Sequence, residues 1–565
     1  MIKMPGDQCE GFSANLKTYK KKDVVVVGSG PAGCIAALSA RRNGASTLII
    51  ERESFLGGQM TGGGIGGIGI NGYFADIPGK PIVVKGISLD VFKKLQDAGG
   101  APPGELITRP QTDPQVMIHL LDELMEEANV EVLFNTIAFD AVVENNTVKG
   151  VAIANKSGGQ VILADVIVDA SADGDIFAAA GADFEHGRRQ DGRHHGGSMD
   201  LQISGFDVEK FVNYFKSQPI LTEEERKQLE EDRSRLLGAG RSPNIALSID
   251  GKPEIREYNI TPPVWKDIEK DMQEGKVPHF RLSMTSGGPR PGIAATKNGK
   301  YIPMPALLDK EWIDYIKSGK VPPLLGAAKL VYPPPRYGSA SGLGIFRKGM
   351  LRSGQLMSGI YECWFDQTNQ EEISKAIMYM RKINKVYLDF LRERIPGFEN
   401  AYIVMESPNI GTRESRRVIG EYILHENDLL NGRRFPDVIA KGGPRGPDAH
   451  SVTGLWGDGV ASKWEKVYDI PYRSLVPQKI DNLLVAGRCI SATHLAFGAI
   501  RDQATCMSTG EAAGAAAALS ARLGVKPRSL DIKLLQQSLL KQGSLLFLEG
   551  EEEKEKEVLS YVPKS

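Results

Sequence analysis

Cysteine is scarce and scattered: five residues in a chain of 565, at Cys9, Cys34, Cys363, Cys489 and Cys506, with no C-x-x-C pair among them. That spacing excludes a redox disulfide between adjacent cysteines and a cysteine cassette for zinc or an iron–sulfur cluster, and the five read as small buried apolar residues. Net charge is lacking too. With 69 Lys and Arg against 70 Asp and Glu, no overall field draws the chain to nucleic acid or to an anionic membrane. No apolar run approaches the length of a membrane span. Met1 to Lys22 holds no apolar core of a secretory signal, so a cytoplasmic location is the expectation. What remains is ordinary for a globular protein, 41% apolar and 25% charged, at a length that accommodates more than one domain.

Glycine, by contrast, is plentiful at 63 residues, and one group of glycines has a definite setting. The run Val24-Val25-Val26-Val27 reads as a strand and flows into Gly28-Ser29-Gly30-Pro31-Ala32-Gly33, with helical sequence after it and Glu51 closing the next apolar run. This is the G-x-G-x-x-G fingerprint of a dinucleotide site, placed between strand and helix with an acid at the end of the second strand. Gly28 permits the tight turn, Gly30 lets backbone approach a pyrophosphate, and Gly33 lets the helix pack against the strand. The helix amino terminus offers free N–H groups to phosphate, and Glu51 can accept from ribose hydroxyls. A second Gly-rich stretch, Gly62-Gly63-Gly64 through Gly69, can pass close to a flat ring or serve as a flexible loop.

Along the chain, residues 21–51 predict strand, helix and strand. Asp113-Pro114 caps a helix carrying Val116, Ile118, Leu120, Leu121 and Leu124. Val130–Phe134, Ala138–Val143, Val148–Ile153 and Val161–Val168 read as a third parallel strand, a β-meander and a returning strand, broken at Asn145-Asn146 and Gly158-Gly159. From about residue 205 the character changes. Thr222 and Glu225 form a capping box for a charged helix. Thr368 and Glu371 predict another before a helix with Ile373, Ile377, Met380, Ile383, Tyr387 and Phe390 on one side, ended by Pro396-Gly397. Asn482–Ala486 then reads as a strand and Gly487-Arg488 as a turn. Thr505 to Arg522 reads as an Ala/Gly-rich helix whose Gly510, Ala513, Gly514 and Ala517 allow close packing against a sheet or cofactor. Residues 530–542 form a helix capped by Gly543, and Glu551 to Glu557 a charged, disordered tail.

Three stretches together resemble the FAD-dependent oxidoreductases of the glutathione-reductase-type superfamily that lack a separate NAD(P)-binding domain. They are the fingerprint through Gly57-Gly58-Gln59, the segment Val166-Ile167-Val168-Asp169-Ala170-Ser171-Ala172-Asp173-Gly174-Asp175, and the run from Pro471-Tyr472-Arg473 through Gly487-Arg488, His494 and Arg501-Asp502-Gln503-Ala504-Thr505. Asn409 to Arg417 is similar as well. Ser171-Ala172 departs from the family's usual Thr-Gly. The resemblance implies an α/β chain: a Rossmann-like FAD-binding domain with β-meander in two parts (21–204 and 466–525), and an inserted α+β substrate-binding domain (205–465). An N-terminal extension (1–20) and a C-terminal helix with its tail (526–565) flank them. FAD is then the expected cofactor, held by Gly28, Gly30, Pro31, Ala32, Gly33, Glu51, Arg52, Gly57, Gly58, Gln59, Ala170, Asp175, Gly487, Arg488, Arg501, Ala504 and Thr505.

For chemistry, His494 stands between the Gly487-Arg488 turn and the following helix, where it either faces substrate or serves as a hydrogen-bonded structural residue. His450, on the loop with Arg445, is a second candidate for proton transfer. Arg413, Arg416 and Arg417 can clamp a carboxylate or phosphate, or pair with Glu414 or Glu421. His194-His195 has no spacing partner for a metal and reads as a polar loop; no metal is expected. The implied function is hydride exchange between a small-molecule substrate, hinted to be anionic, and flavin N5. With no second G-x-G-x-x-G, electrons pass through a separate donor or acceptor. The alternative is a flavin enzyme without net redox turnover, a hydratase or isomerase. A nucleic-acid partner is not expected.

Overall fold

The computed structural model describes residues 16–64, 82–101, 112–188, 194–207, 310–322, 365–443 and 466–563, with isolated positions and short stretches between 192 and 363. Arg445 and His450 lie outside the described residues, as does the later part of the glycine-rich run, Ile65 to Gly69.

A mixed sheet organises the first body. Strands β1 (Lys17–Val27), β2 (Thr47–Ile50) and β3 (Glu131–Leu133) run parallel, and β6 (Gly158–Asp169) lies parallel on the other side of β1. β4 (Ile137–Glu144) and β5 (Thr147–Asn155) form the antiparallel meander that returns the chain to β6, giving the order β3-β2-β1-β6-β5-β4. Asn145 and Asn146 both take positive φ (50° and 58°), the geometry of the two-residue turn whose twist matches a hairpin. The short strand Leu483–Val485, far away in sequence, joins parallel to the end of β6. The all-apolar runs of β1 and β2 follow from this burial: Val24 to Val26, Leu48 and Ile49 are fully buried.

Helix α1 (Pro31–Arg42) leaves the end of β1, and α2 (Pro114–Glu127) begins at Asp113, whose carboxylate accepts from Gln115 and Val116 N–H. Across α1 packs the helix Gln503–Leu523. A Cβ at Gly510 would stand 2.1 Å from the Ala32 carbonyl oxygen, and one at Gly514 2.0 Å from that of Ala36. The small-residue pattern of this helix therefore serves backbone-to-backbone contact with α1. Residues Val418 to Ala440 and Val467 to Ala518 contribute to the same hydrophobic core as the sheet.

A second core gathers Met199 to Phe211, Trp312 to Val321, Phe365 and the helix Gln370–Arg394, with Phe398 stacked on Phe206. Met380, Ile383, Tyr387 and Phe390 are fully buried there. Thr222 and Glu225 form the expected reciprocal cap. The expected cap at Thr368 is displaced by one residue. Asn369 accepts from Glu371 and Glu372 N–H, while the Thr368 hydroxyl donates to Asp366, a nearer acceptor. The acidic tail, expected to be disordered, forms the helix Glu552–Leu559, pinned by Lys554–Glu551, Lys533–Glu557 and Tyr561–Asp531 contacts. No helix among the described residues is long and apolar enough to cross a membrane.

Candidate functional site

The fingerprint turn is built as its glycines require. Gly28 takes φ +91°, and a Cβ there would meet the Ala170 carbonyl oxygen at 2.6 Å. A Cβ at Gly33 would stand 1.8 Å from the Gly28 carbonyl oxygen, so helix and turn interlock with no room for a side chain. Gly30 differs: nothing lies within 4 Å of the place its Cβ would occupy. That open face adjoins the amino terminus of α1, where Gly30 provides no side-chain cap and Pro31 has no N–H to satisfy.

Neighbouring segments complete the cradle. A Cβ at Gly58 (φ +51°) would stand 2.9 Å from the Gly30 Cα, and Gly57 N–H donates to the Ser29 carbonyl. A Cβ at Gly487 (φ +84°) would stand 3.0 Å from the Ala32 Cβ. Glu51 is buried. One carboxylate oxygen accepts from both Ser29 N–H (2.8 Å) and Ser29 Oγ, and the other from Glu53 N–H, tying the turn to the end of β2. Ala504 and Thr505 are buried in the first turn of the Gln503–Leu523 helix, which also lacks a side-chain cap, and Arg501 ends the preceding helix. Arg52 is exposed and pairs with its neighbour Glu53, and Asp175 is held by Arg416 at 3.1 Å. Asp169 stiffens the floor: its buried carboxylate accepts from Ser171, Ile176 and Phe177 N–H, and burial raises its pKa against the pull of those bonds.

Arg488 donates through Nη2 to Asp173 (2.9 Å) and Thr412 (3.0 Å), while its Nη1 is buried without a hydrogen-bond partner. Gln59 Oε1 is likewise buried and unpaired. An unfilled guanidinium donor beside an uncapped helix terminus and an open glycine face fits the phosphates of a dinucleotide.

Beside this cradle stands a buried charged cluster that reading the chain alone does not assemble. Glu414 is fully buried and accepts from His195 N–H (2.9 Å), from Arg417 Nη1 and from His494 Nδ1 (2.8 Å). Burial opposes its charge, but the bond to His494 and the charges of His494 and Arg417 outweigh burial and hold the carboxyl below its usual range. A carboxylate has no proton to give, so His494 Nδ1 carries the hydrogen of this bond, and Nε2 is the position at which the ring gains or loses a proton. Nε2 is buried without a hydrogen-bond partner. The His195 ring lies 4.8 Å from that of His494. Arg417, also fully buried, donates to the Ala492 and Gly187 carbonyls and to Glu185, fixing the turn that carries His494.

The arginines therefore divide. Arg417 pairs with Glu414, one of the two acids expected for this role, and Arg416 with Asp175; Glu421 is taken by Arg528. Arg413 donates to the Gly196 carbonyl and lies within electrostatic reach of partly buried Asp200, whose carboxyl burial pushes up to about 7. His194 and His195 do lie on a loop, but both side chains are buried, so the reading of a polar loop is corrected. The signal was present as His-His-Gly-Gly. Gly196 and Gly197 bring this loop against Arg413, Gly411 and Phe365, and spacing along the chain cannot reveal a partner 219 residues away.

Residues 23–539 match the family model described as FAD dependent oxidoreductase. The thiamine thiazole synthase of Aeropyrum pernix is 33% identical over 145 residues, 26% of this chain and 48% of that protein, so the chain spans about half the length of this curated relative. Among solved structures, a geranylgeranyl bacteriochlorophyll reductase-like protein from Thermoplasma acidophilum aligns over 96% of this chain and 92% of its own at 12% identity and a TM-score of 0.38. THI4 of Thermovibrio ammonificans aligns over 29% and 65% at 22% identity and a TM-score of 0.23.

Proposed function

The chain belongs to the FAD-dependent oxidoreductase family, with FAD as its cofactor, and from that premise we propose that it exchanges a hydride between a small-molecule substrate and flavin N5. The observation that carries the proposal is the His494–Glu414–Arg417 cluster beside the dinucleotide cradle, with His494 Nε2 unpaired.

Bound FAD supplies the two-electron chemistry at N5; the protein supplies position and proton movement. Gly28, Gly30, Gly33, Gly57, Gly58, Ala170, Gly487, Ala504 and Thr505 allow close backbone approach, Glu51 serves the ribose, and Arg488 serves the pyrophosphate. Glu414 keeps hydrogen on His494 Nδ1, leaving Nε2 to take a proton from a substrate C–OH or C–N centre as it is oxidised, or to give one in the reverse direction. Arg413, which donates to the Gly196 carbonyl, is the arginine proposed to meet an anionic group of the substrate. The second core forms the substrate-binding part. With no second fingerprint in the chain, electrons enter or leave through a separate carrier.

Anaerobic mixing of the FAD-loaded protein with a panel of hydroxy and amino acids, followed at the flavin absorption bands, tests this. Bleaching that slows in His494→Gln supports the assignment, and no spectral change across the panel sinks it. A second reading, conversion without net redox turnover, is favoured by a proton-carrying cluster that is complete without any electron carrier. Product formed in the absence of an acceptor would select it.

A further inference from the structure

We propose that His186, His194 and Asp366 form a three-ligand site for a divalent transition-metal ion of the zinc type, separate from the His494 cluster. The three residues each offer one ligand atom, and these atoms lie within 4.8 Å of one another. His186 Nε2 stands 3.3 Å from Asp366 Oδ1, and the His186 and His194 rings are 4.3 Å apart at 65°. The second, independent observation is His194 itself. Its side chain is 8% exposed, yet Nε2 is buried with no hydrogen-bond partner. An imidazole nitrogen withdrawn from water and left without hydrogen bonding is costly in a folded chain, and a cation held by the three side chains would satisfy it.

His186 Nε2 also lies 3.1 Å from Thr368 Oγ1, a contact that the ion would replace. Gly187 (φ +67°) turns the chain sharply after His186, and a Cβ there would stand 2.8 Å from His194 Cδ2, so glycine is what allows the two imidazoles to face each other. Arg417 holds the Gly187 carbonyl at 2.9 Å. Asp366 is oriented by Thr368, whose N–H and hydroxyl both donate to Oδ1 at 2.8 and 2.7 Å, the kind of outer contact that aims a carboxylate at a metal. Donor atoms on a tetrahedral zinc ion stand roughly 3.4 Å apart, given bonds of about 2.0–2.2 Å. The widest separation therefore closes by up to about 1.4 Å on binding, through the side chains of His186 and Asp366, each about one third exposed (33% and 36%). Two imidazoles and one carboxylate leave a coordination position for water.

The location gives the ion a role. His186 sits on the short strand Phe184–His186, paired with Arg416–Val418 beside Glu414, whereas Asp366 leads into the Gln370–Arg394 helix of the second core. A bound ion would clamp the two cores together one peptide away from His195, and so hold the His195 side of the buried cluster in place.

The test uses the full-length FAD-loaded protein, treated with EDTA, desalted and titrated with Zn2+ against a chromophoric chelator, with Co2+ as a spectroscopic probe. One equivalent of Zn2+ is expected, raising the melting temperature and giving the visible bands of low-symmetry Co2+. Affinity should fall by about tenfold or more in each of His186→Gln and Asp366→Asn. Both side chains are partly exposed, and the flavin spectrum and metal-free melting temperature of these variants verify their fold. The absence of chelator-competitive binding by the wild-type protein overturns the proposal. So does binding that survives both substitutions but disappears in His494→Gln, which would place the ion in the other cluster.

Discussion

Glu511 offers a stability test that reaches the Gln503–Leu523 helix directly. It lies in the middle of the Gln503–Leu523 helix, 1% exposed, with Oε2 accepting from Ile87 N–H (3.1 Å) and Oε1 from Ser544 Oγ (2.8 Å). Burial pushes its pKa from 4.5 up to about 8, against the lowering effect of those two bonds. The folded protein thus holds a proton that the unfolded chain releases between these two values. Folding stability falls as pH rises through that window and levels off above it. A displacement of about 3.5 units corresponds to a ceiling of about 5 kcal/mol, at roughly 1.36 kcal/mol per unit. Glu511→Gln keeps the shape and both contacts, since the Ser544 hydroxyl can turn to accept from the amide. The variant should match the wild type near the acid end and become the more stable protein above about pH 8. Melting temperatures of both proteins across about pH 5 to 9 provide the assay. A difference that is flat with pH, or that grows toward acid, would refute the assignment of a protonated Glu511 in the fold.

Three further outcomes are expected. Gly30→Ala should leave the melting temperature of the FAD-free protein unchanged but weaken FAD binding, because its Cβ enters only open space; Gly33→Ala should destabilise the FAD-free protein by about 1–3 kcal/mol or more, because its Cβ falls on the Gly28 carbonyl. Titration with FAD and thermal melts separate the two. Glu414→Gln should cost about 1–3 kcal/mol by removing one of the two carboxylates that face buried Arg417, Glu185 being the other, whereas His494→Gln should retain FAD and lose about 10²–10⁴-fold in turnover, read from chemical denaturation and steady-state rates. Asn369→Ala should cost about 0.5–2 kcal/mol, measured in denaturant, as the cap of the Gln370–Arg394 helix.

The parts of the fold legible in advance were those governed by local chemistry. Gly33 meets a steric demand set within a few residues, by the Gly28 carbonyl, and Gly28 takes the positive φ of its turn; the Val-rich strands, Asp113-Pro114 and Asn145-Asn146 carry their own geometry. Even the helix at Gln370 was visible from its apolar stripe. Its cap lies one residue later than the capping-box pattern places it, at Asn369, because the Thr368 hydroxyl is turned toward Asp366 and His186, contacts that depend on which side chains lie close in space. The acidic tail is ordered by contacts from outside the segment, Lys533 with Glu557 and Asp531 with Tyr561, which its own composition does not carry. The buried cluster shows the same limit at larger scale. His494 was a candidate by its place near the turn, but Glu414 and His195 acquire their meaning only when strands and turns distant in the chain are brought together.

The contact of α1 with the Gln503–Leu523 helix has a consequence for how the chain acquires its shape. Two segments more than 450 residues apart meet backbone to backbone at Ala32–Gly510 and Ala36–Gly514, and Gly487 closes on Ala32 between them. During synthesis the amino-terminal sheet must therefore wait, its α1 face uncovered, until nearly the whole chain has emerged. Contacts of such sequence separation place the closing of this crossing late in folding. Nascent or truncated chains that stop before the second helix will expose the apolar side of α1, and they are the species on which chaperones and proteases should act.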